Sequence, residues 1–570
     1  MVRVPPSLTP SVLEFGAYRF DADQQLWRGT TRVALTPKER AVLARLLAGG
    51  GRVVDRHAVL NAAWPGEDVG EASLMRCVST LRAKLGPRPG GGSCIETAHG
   101  VGYRVTVPIR VATPQVRVLV LPLVAEDGQA PSLPVCDAIT EDIIGHVCRL
   151  HGRGLVAIGS DTALRCRGDG RGAAVIGRSL GADLAVILRW RRHRGSASVR
   201  LQVVRTSDLV QLASVDVPVP TSPVEQVAAA IAAALLPLLP NAGASGPRMR
   251  DALATTPQAS HAYLDARFHF RRRTPASLAD AITFLERALA ADPRHAAAAI
   301  TLAECHGSLL AFTLESAAEA EARVEALLTR ASAVDPDLPG VRALRAGLFS
   351  AVRWRFDEAE ALFLEAMRED GPDVYACQMY GRHALARGRA AEAVRLYALA
   401  AELDPLAPAV YAPLAFALAC DGRLPEVHAA LTTLDALGSS PSPMPLLVRS
   451  VVRALEGAPA EALDHAAEAH AMAPAVPMVR ASLAWACAVA GDTRRARDLE
   501  AEAAADPGFL APGWMAMSAM ARQDVEAAER WLQRALAIRC YWCPTLRVDP
   551  RFAAGRAEPR LARLLATLET

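Results

Sequence analysis

The stretch EASLMRCVSTLRAKLG (Glu71–Gly86), followed after a glycine-rich connection by IETAHGVGYRV (Ile95–Val105), decides how the first part of the chain is read. Leu74, Val78, Leu81 and Leu85 recur at i, i+4, i+7 and i+11, within a wedge of roughly 60° at 100° per residue, so this stripe faces a core. The opposite side carries Ala72, Arg76, Ser79, Thr80 and Ala83. Small residues there permit close approach, and a guanidinium with two hydroxyls can hydrogen-bond base edges or phosphates. Taken alone, such a face is more often simply solvated, and its surroundings have to decide. The second stretch reads as a β-hairpin in which Gly100 and Gly102 permit a tight tip with positive φ and let backbone pass close to a partner.

Working outward, VLEFGAYRF, QLWRG and TRVAL read as short antiparallel strands turned at Asp21–Asp23 and at Gly29. A helix then begins at TPKERAVLARLLAGGG, with Thr36 as N-cap, Pro37 at its first position, Glu39 completing a capping box and glycines to stop it. Asp55 caps a second helix, RHAVLNAAW, halted by Pro65.

Together these elements closely resemble the winged-helix DNA-binding domain of the OmpR/PhoB response-regulator family and its ToxR, CadC and HilA relatives. The residues that carry the resemblance are LTPKE at Leu35–Glu39, Trp64 at the end of the second helix, LRAKLG at Leu81–Gly86 and TAHGVGYRV at Thr97–Val105. The resemblance implies that the third helix enters the major groove and that the hairpin, or wing, reaches the adjacent minor groove. It implies DNA contact by Arg76, Ser79, Thr80 and Arg82 on the helix and by Thr97, His99 and Arg104 on the wing. Arg82 lies nearer the apolar stripe than Arg76, so a flanking phosphate or an acidic neighbour suits it better than a base. Several relatives touch RNA polymerase through the loop before the recognition helix, which places Glu67 and Asp68 in that role. The family's usual setting is phosphorelay signal transduction. Here the winged helix begins within a dozen residues of Met1, so control by aspartyl phosphorylation in a preceding receiver domain is not expected.

The bulk numbers agree with a basic head on a larger body. A chain of 570 residues is too long for one core. Residues 1–110 carry a formal charge of +6, 111–250 of +4 and 251–570 of −7, which points to an anionic partner for the head alone. Lys38 and Lys84 are the only lysines, so arginine clusters by themselves say little. The 11 cysteines are scattered and odd in number, as in a reduced cytoplasmic protein, and the lone C-x-x-C at Cys540–Cys543 reads as a loop. No signal peptide is visible, and the apolar run Val227–Leu239 is shorter than the ~20 residues of a bilayer span.

Beyond the head, VRVLVLPLV, GLVAIGS and ADLAVILRWRRH read as buried strands. They alternate with the helices DAITEDIIGHVCRL and GAAVIGRSLG, and a hairpin and a helix through Leu239 follow. This α/β segment resembles the amino-terminal domain of TolB, on VLPL, ITEDI and LGADLAVILRW. It shows no nucleophile set, metal cluster or phosphate loop. The arginines of RWRRHR (Arg189–Arg194) read more readily as a solvated strand end than as a second nucleic-acid contact. From about 255 onward, prolines that end helices at Pro293, Pro336, Pro372, Pro405, Pro441, Pro474 and Pro507 are spaced by 33 to 43 residues. A period near 34 marks tetratricopeptide repeats, helix pairs that stack because neither member buries its apolar face alone. Gly388, Ala393, Ala400 and Asp404–Pro405 mark the clearest unit, and LRVDPRFAAGRAEPRLARLL reads as a terminal cap.

The expected protein is therefore multidomain α+β, with a winged helix-turn-helix over 1–110, a TolB-like α/β domain over 115–240 and an all-α tetratricopeptide superhelix over 255–570. The expected function is that of a cytoplasmic transcription regulator of the HilA/CadC type, not an enzyme, with no metal or cofactor and no membrane. Its partners would be double-stranded DNA, bound by a dimer or in tandem, RNA polymerase, and a protein or peptide on the superhelix. The rival reading is an interaction scaffold whose winged helix grips protein. An enzymatic reading would have to rest on His146, His151 and Asp161 or on the C-x-x-C thiols, residue types that are usually just surface or loop.

Overall fold

The computed structural model describes residues 12–569 apart from 17, 21–24, 29–30, 67–68, 87–91, 99, 108, 113–114, 127–130, 152–153, 194–195, 221–223, 241–255, 336–337, 339 and 439–441. The chain divides into two compact units, Met1–Gln115 and Val116–Thr570.

In the first unit, β1 (Val12–Phe15), β2 (Tyr18–Phe20), β3 (Leu26–Arg28) and β4 (Thr31–Val33) form an antiparallel meander. The segment VLEFGAYRF is two strands instead of one, because Gly16 adopts φ +58° and turns the chain between them. The helices α1 (Pro37–Ala48), α2 (Arg56–Ala63) and α3 (Glu71–Leu85) follow, with β5 (Val54–Asp55) between the first two. The hairpin β6 (Ile95–Ala98) and β7 (Gly102–Val105) comes next, and β8 (Ile109–Ala112) closes the unit by pairing with β1. The strand orders are β4-β3-β2-β1-β8 and β5-β7-β6.

The capping box of α1 is present in both directions: Glu39 N donates to Thr36 Oγ1, and Thr36 N donates to the Glu39 carboxylate at 2.7 Å. Asp55 accepts from His57 N and Ala58 N at the start of α2. Leu74, Val78, Leu81 and Leu85 are buried in one core with Val42, Leu43, Leu46, Val59, Ile95 and Val105. Each such side chain contributes about 1.5–3 kcal/mol through burial.

In the second unit, β9 (Val116–Val120), β10 (Val124–Ala125), α4 (Leu133–Cys148), β11 (Leu155–Ala157), α5 (Ser160–Arg165) and α6 (Ala173–Ser179) precede three long strands. These are β12 (Leu184–His193), β13 (Ser196–Arg205) and β14 (Gln211–Val219), and α7 (Val224–Leu235) follows. The sheet order is β11-β9-β12-β13-β14, parallel on one side and antiparallel on the other. The sequence reading lacks α5, and it takes VRVLVLPLV as one strand where β9 ends at Val120 and Val124–Ala125 pairs separately with β12 as β10. In the RWRRHR run, Trp190 is buried and Arg191 pairs with Glu126, as strand alternation dictates.

From Pro257 to Ala537 the described residues form eight antiparallel helix pairs, beginning with Pro257–Phe270 against Pro275–Ala291 and ending with Pro512–Ala521 against Val525–Ala537. One residue at each turn within a pair lies in the left-handed region. Gly388, Gly422, Gly457 and Gly491 hold this place in the middle pairs, whereas Arg273, Thr313, Trp354 and Gln523 hold it elsewhere. The terminal segment packs Phe552, Leu561 and Leu565 into the last core cluster, as a cap does.

The α/β segment is bonded into this helical array. Asp161 N and Thr162 N, at the start of α5, donate to the Asp404 carboxylate at 3.2 and 2.7 Å, and Gly159 N donates to Leu403 O at 2.7 Å. Arg267 and Arg271, on and just after the first array helix, pair with Asp137, Glu141 and Asp142 of α4. Asp404–Pro405, expected only as a turn between repeats, is thus also the cap of a helix in the neighbouring layer.

Candidate nucleic-acid interface

The recognition surface is built on α3. With its apolar stripe fixed in the core, Glu71, Ala72, Met75, Arg76, Ser79, Thr80 and Ala83 are exposed on the other side. Arg76 has no ion-pair partner among the described residues. Thr80 Oγ1 donates to Arg76 O at 3.1 Å, so its proton goes to its own helix while the oxygen still has room to accept. Met75 is 62% exposed, and the sequence reading gave it no role. It lies about 100° from Leu74, off the stripe, and that offset was the available signal.

Arg82 is placed differently from Arg76. Its Nε donates to Ile95 O at 2.9 Å and its Nη2 to Thr97 Oγ1 at 2.8 Å, so it ties α3 to the first wing strand. Thr97 receives that bond. Arg104, on the second wing strand, pairs across the hairpin with Glu96 at 2.6 Å, both residues about half exposed. His99, Glu67 and Asp68 lie outside the described residues.

The structure also draws in residues from α2. Arg56 pairs with Glu71 at 2.9 Å and donates to Gly100 O at 3.1 Å, joining the start of α3 to the wing tip. Gly100 has the expected positive φ, +76°. Gly102 does not, and its reason is different: a Cβ there would sit 1.9 Å from Val54 O, so only glycine lets β7 lie against β5.

Two further bonds set the pitch of α3 against the rest of the unit. Tyr18 OH donates to Leu85 O at 2.6 Å, and Lys84 Nζ donates to the buried Glu39 carboxylate at 2.7 Å. Burial alone would raise the Glu39 pKa, but the Lys84 ammonium and the Thr36 N–H outweigh it and hold the group below its usual value.

The C-x-x-C thiols sit in the other unit. Cys540 and Cys543 are buried, and burial pushes both pKa values up, which disfavours the thiolate that redox or zinc chemistry needs. His146 lies against Arg149, and burial takes its pKa down to about 4.

Residues 29–105 match the family described as "Transcriptional regulatory protein, C terminal". The chain is 36% identical over 100 residues to the transcriptional regulator HilA of Salmonella typhi, a match that covers 18% of each protein. It resembles the solved DNA-binding domain of E. coli CadC at 21% identity and a TM-score of 0.17, over 18% of this chain and 97% of that one. It also resembles a chain of the APC/C Cut9–Hcn1 hetero-tetramer at 15% identity and a TM-score of 0.39, over 55% and 56% of the two chains. The chain thus spans about a fifth of the length of its HilA relative, and the family match lies within the first unit. That unit carries an OmpR/PhoB-type DNA-binding domain.

Proposed function

We propose that this chain is a sequence-specific transcription regulator of the HilA/CadC type, in which α3 reads the major groove, the β6–β7 hairpin reaches the minor groove, and a signal or partner acts through residues 116–570. The observation that carries this reading is the exposed ridge of Met75, Arg76, Ser79 and Thr80 on a helix anchored from behind by four buried residues. Arg76 can pair with a guanine edge, Met75 can pack on a thymine methyl, the Ser79 hydroxyl can donate or accept, and the Thr80 oxygen can accept. Arg82 acts through the wing, holding Thr97 and Ile95 at a fixed distance from the helix. Arg104 reaches phosphates by exchanging Glu96 for the DNA backbone, an exposed pair being worth little on its own.

One winged-helix module buries only ~600–1,000 Å², so two copies on adjacent half-sites are needed for useful specificity. RNA polymerase contact by the loop carrying Glu67 and Asp68 belongs to the same proposal. Selection from a random duplex library tests it: a short motif should be enriched, with half-sites spaced by about one helical turn. A scaffold whose winged helix grips protein would enrich no motif.

A further inference from the structure

The array contains a cavity of about 520 Å³. Its wall comes largely from the first helices of successive pairs, with Phe312, Tyr375, Tyr397 and Phe416 supplying aromatic surface. The C-x-x-C segment closes one side. Tyr541 and Trp542 project from it into the array, where Trp542 Nε1 donates to Ala311 O at 2.8 Å across 231 residues of sequence. The α/β segment contributes Asp137, Asp161, Leu164 and Arg165 to the wall.

The charge on this wall is unbalanced. Five arginines, at 165, 271, 272, 273 and 382, face two aspartates. Asp137 is already shared by Arg167 and Arg271, and burial pushes the Asp161 carboxyl up. Arg382 is the decisive group. It is 7% exposed, and no carboxylate among the described residues pairs with it. Among the described residues its Nη2 finds only the Met379 sulfur at 3.8 Å and its Nε has no hydrogen-bond partner, and its guanidinium lies 4.3 Å from the centre of the Tyr541 ring. A buried guanidinium without an anion is costly, and a cation–π contact offsets only part of that cost. Arg273 also lines the cavity without an ion pair among the described residues, on left-handed backbone at φ +48°.

We propose that this cavity binds a small organic anion, an aromatic or acyl body bearing one carboxylate, sulfonate or phosphate, with the acid group on Arg382 and the body against Tyr541, Trp542 and Phe416. The volume falls in the ~300–1,000 Å³ range of small-molecule sites, and the protein's own Tyr541–Trp542 segment occupies space that a peptide strand would need. The site stands on its own, and only its description as the entry point of a regulatory signal rests on the transcription-regulator reading.

The test uses the full chain and two dyes that fluoresce in apolar sites: 8-anilinonaphthalene-1-sulfonate, an anion, and N-phenyl-1-naphthylamine, the same rings without the sulfonate. The wild type should bind one sulfonate dye per chain at least tenfold more tightly than the neutral one. Arg382→Met should abolish that preference without lowering the melting temperature, since it removes an uncompensated buried charge. Ala409→Trp, which grows from an exposed wall residue into the cavity, should reduce both dyes at least tenfold and gives a second route should Arg382→Met fail to fold. Equal binding of the two dyes by the wild type, binding of neither, or a preference that survives Arg382→Met overturns the proposal. No DNA enters this experiment, so its failure is separable from failure of the regulator reading.

Discussion

At the scale of single residues, α3 holds two arginines that the helical wheel already sets apart, Arg82 lying nearer the apolar stripe, and that the fold separates further. Arg76 is exposed and has no ion-pair partner among the described residues, so Arg76→Ala should cost ~1–3 kcal/mol of affinity for the selected site and relax preference at one base pair, measured by titration against single-base variants of that site. Arg82 is bonded to Ile95 O and Thr97 Oγ1. Arg82→Ala should therefore weaken binding evenly across sequences and speed amide exchange in β6 while α3 stays protected. A loss confined to particular base pairs would put Arg82 in the groove instead. The periodicity of Leu74, Val78, Leu81 and Leu85 made the exposed face legible, because burial repeats with the helix. The rotation of Arg82 toward the wing was not legible, since its partner carbonyl lies 13 residues away and becomes a neighbour only after the hairpin folds. Gly102 shows the same limit: its need is imposed by Val54 O on a separate strand.

Among elements, the joint between α5 and the array makes a pH-dependent contact. Burial and the nearby Asp161 raise the Asp404 carboxyl from 3.8 to about 6, against the opposing pull of the Thr162 and Asp161 N–H groups. A folded-state pKa above the unfolded value means that the native state binds the proton more tightly. The Asp404 contribution is thus fully present below about pH 3.8 and is lost as pH rises through about 6. The stability of the wild type relative to Asp404→Asn should accordingly fall by about 3 kcal/mol between pH 3.5 and 7, read from denaturant unfolding at each pH. A difference that stays flat with pH would contradict the raised value.

The helix pairs offer a second prediction at this scale. Gln523 sits at φ +61° in the turn where the preceding four pairs use glycine. Gln523→Gly should stabilise the array by about 1 kcal/mol by relieving left-handed strain, visible as a higher melting temperature. Proline spacing and Gly388 announced the repeat. The turns at Arg273, Thr313 and Trp354 were hidden because they keep the conformation without the residue that usually signals it. Asp404 was legible as a turn residue, but its role as a cap for α5 depends on a partner 242 residues distant.

For the whole molecule, the sequence separates a basic head from a larger acidic body, and the structure likewise divides after Gln115. Local patterns carried most of this: alternation in β9 to β14, capping in α1 and α2, and a 34-residue rhythm beyond. What they could not carry was the assembly of the second unit, in which α4 and α5 bond to the array and the Cys540–Cys543 loop turns inward. That loop read as a plain connection, and it is instead part of the wall of the cavity, because Tyr541 and Trp542 supply the apolar surface that draws it in. The residues whose chemistry matters there, Arg273 and Arg382 above all, come from separate helix pairs and share no motif.

The central claim is that the ridge on α3 lies in DNA, and binding of the full chain to its selected duplex across 50 to 300 mM salt tests it most directly. The account predicts that log K falls linearly with log salt by ~0.9 per phosphate contact, and that Arg76→Ala lowers affinity for the selected site but not for random duplex. Binding that ignores salt, or an Arg76→Ala protein that still prefers the selected site as strongly as the wild type, would contradict it.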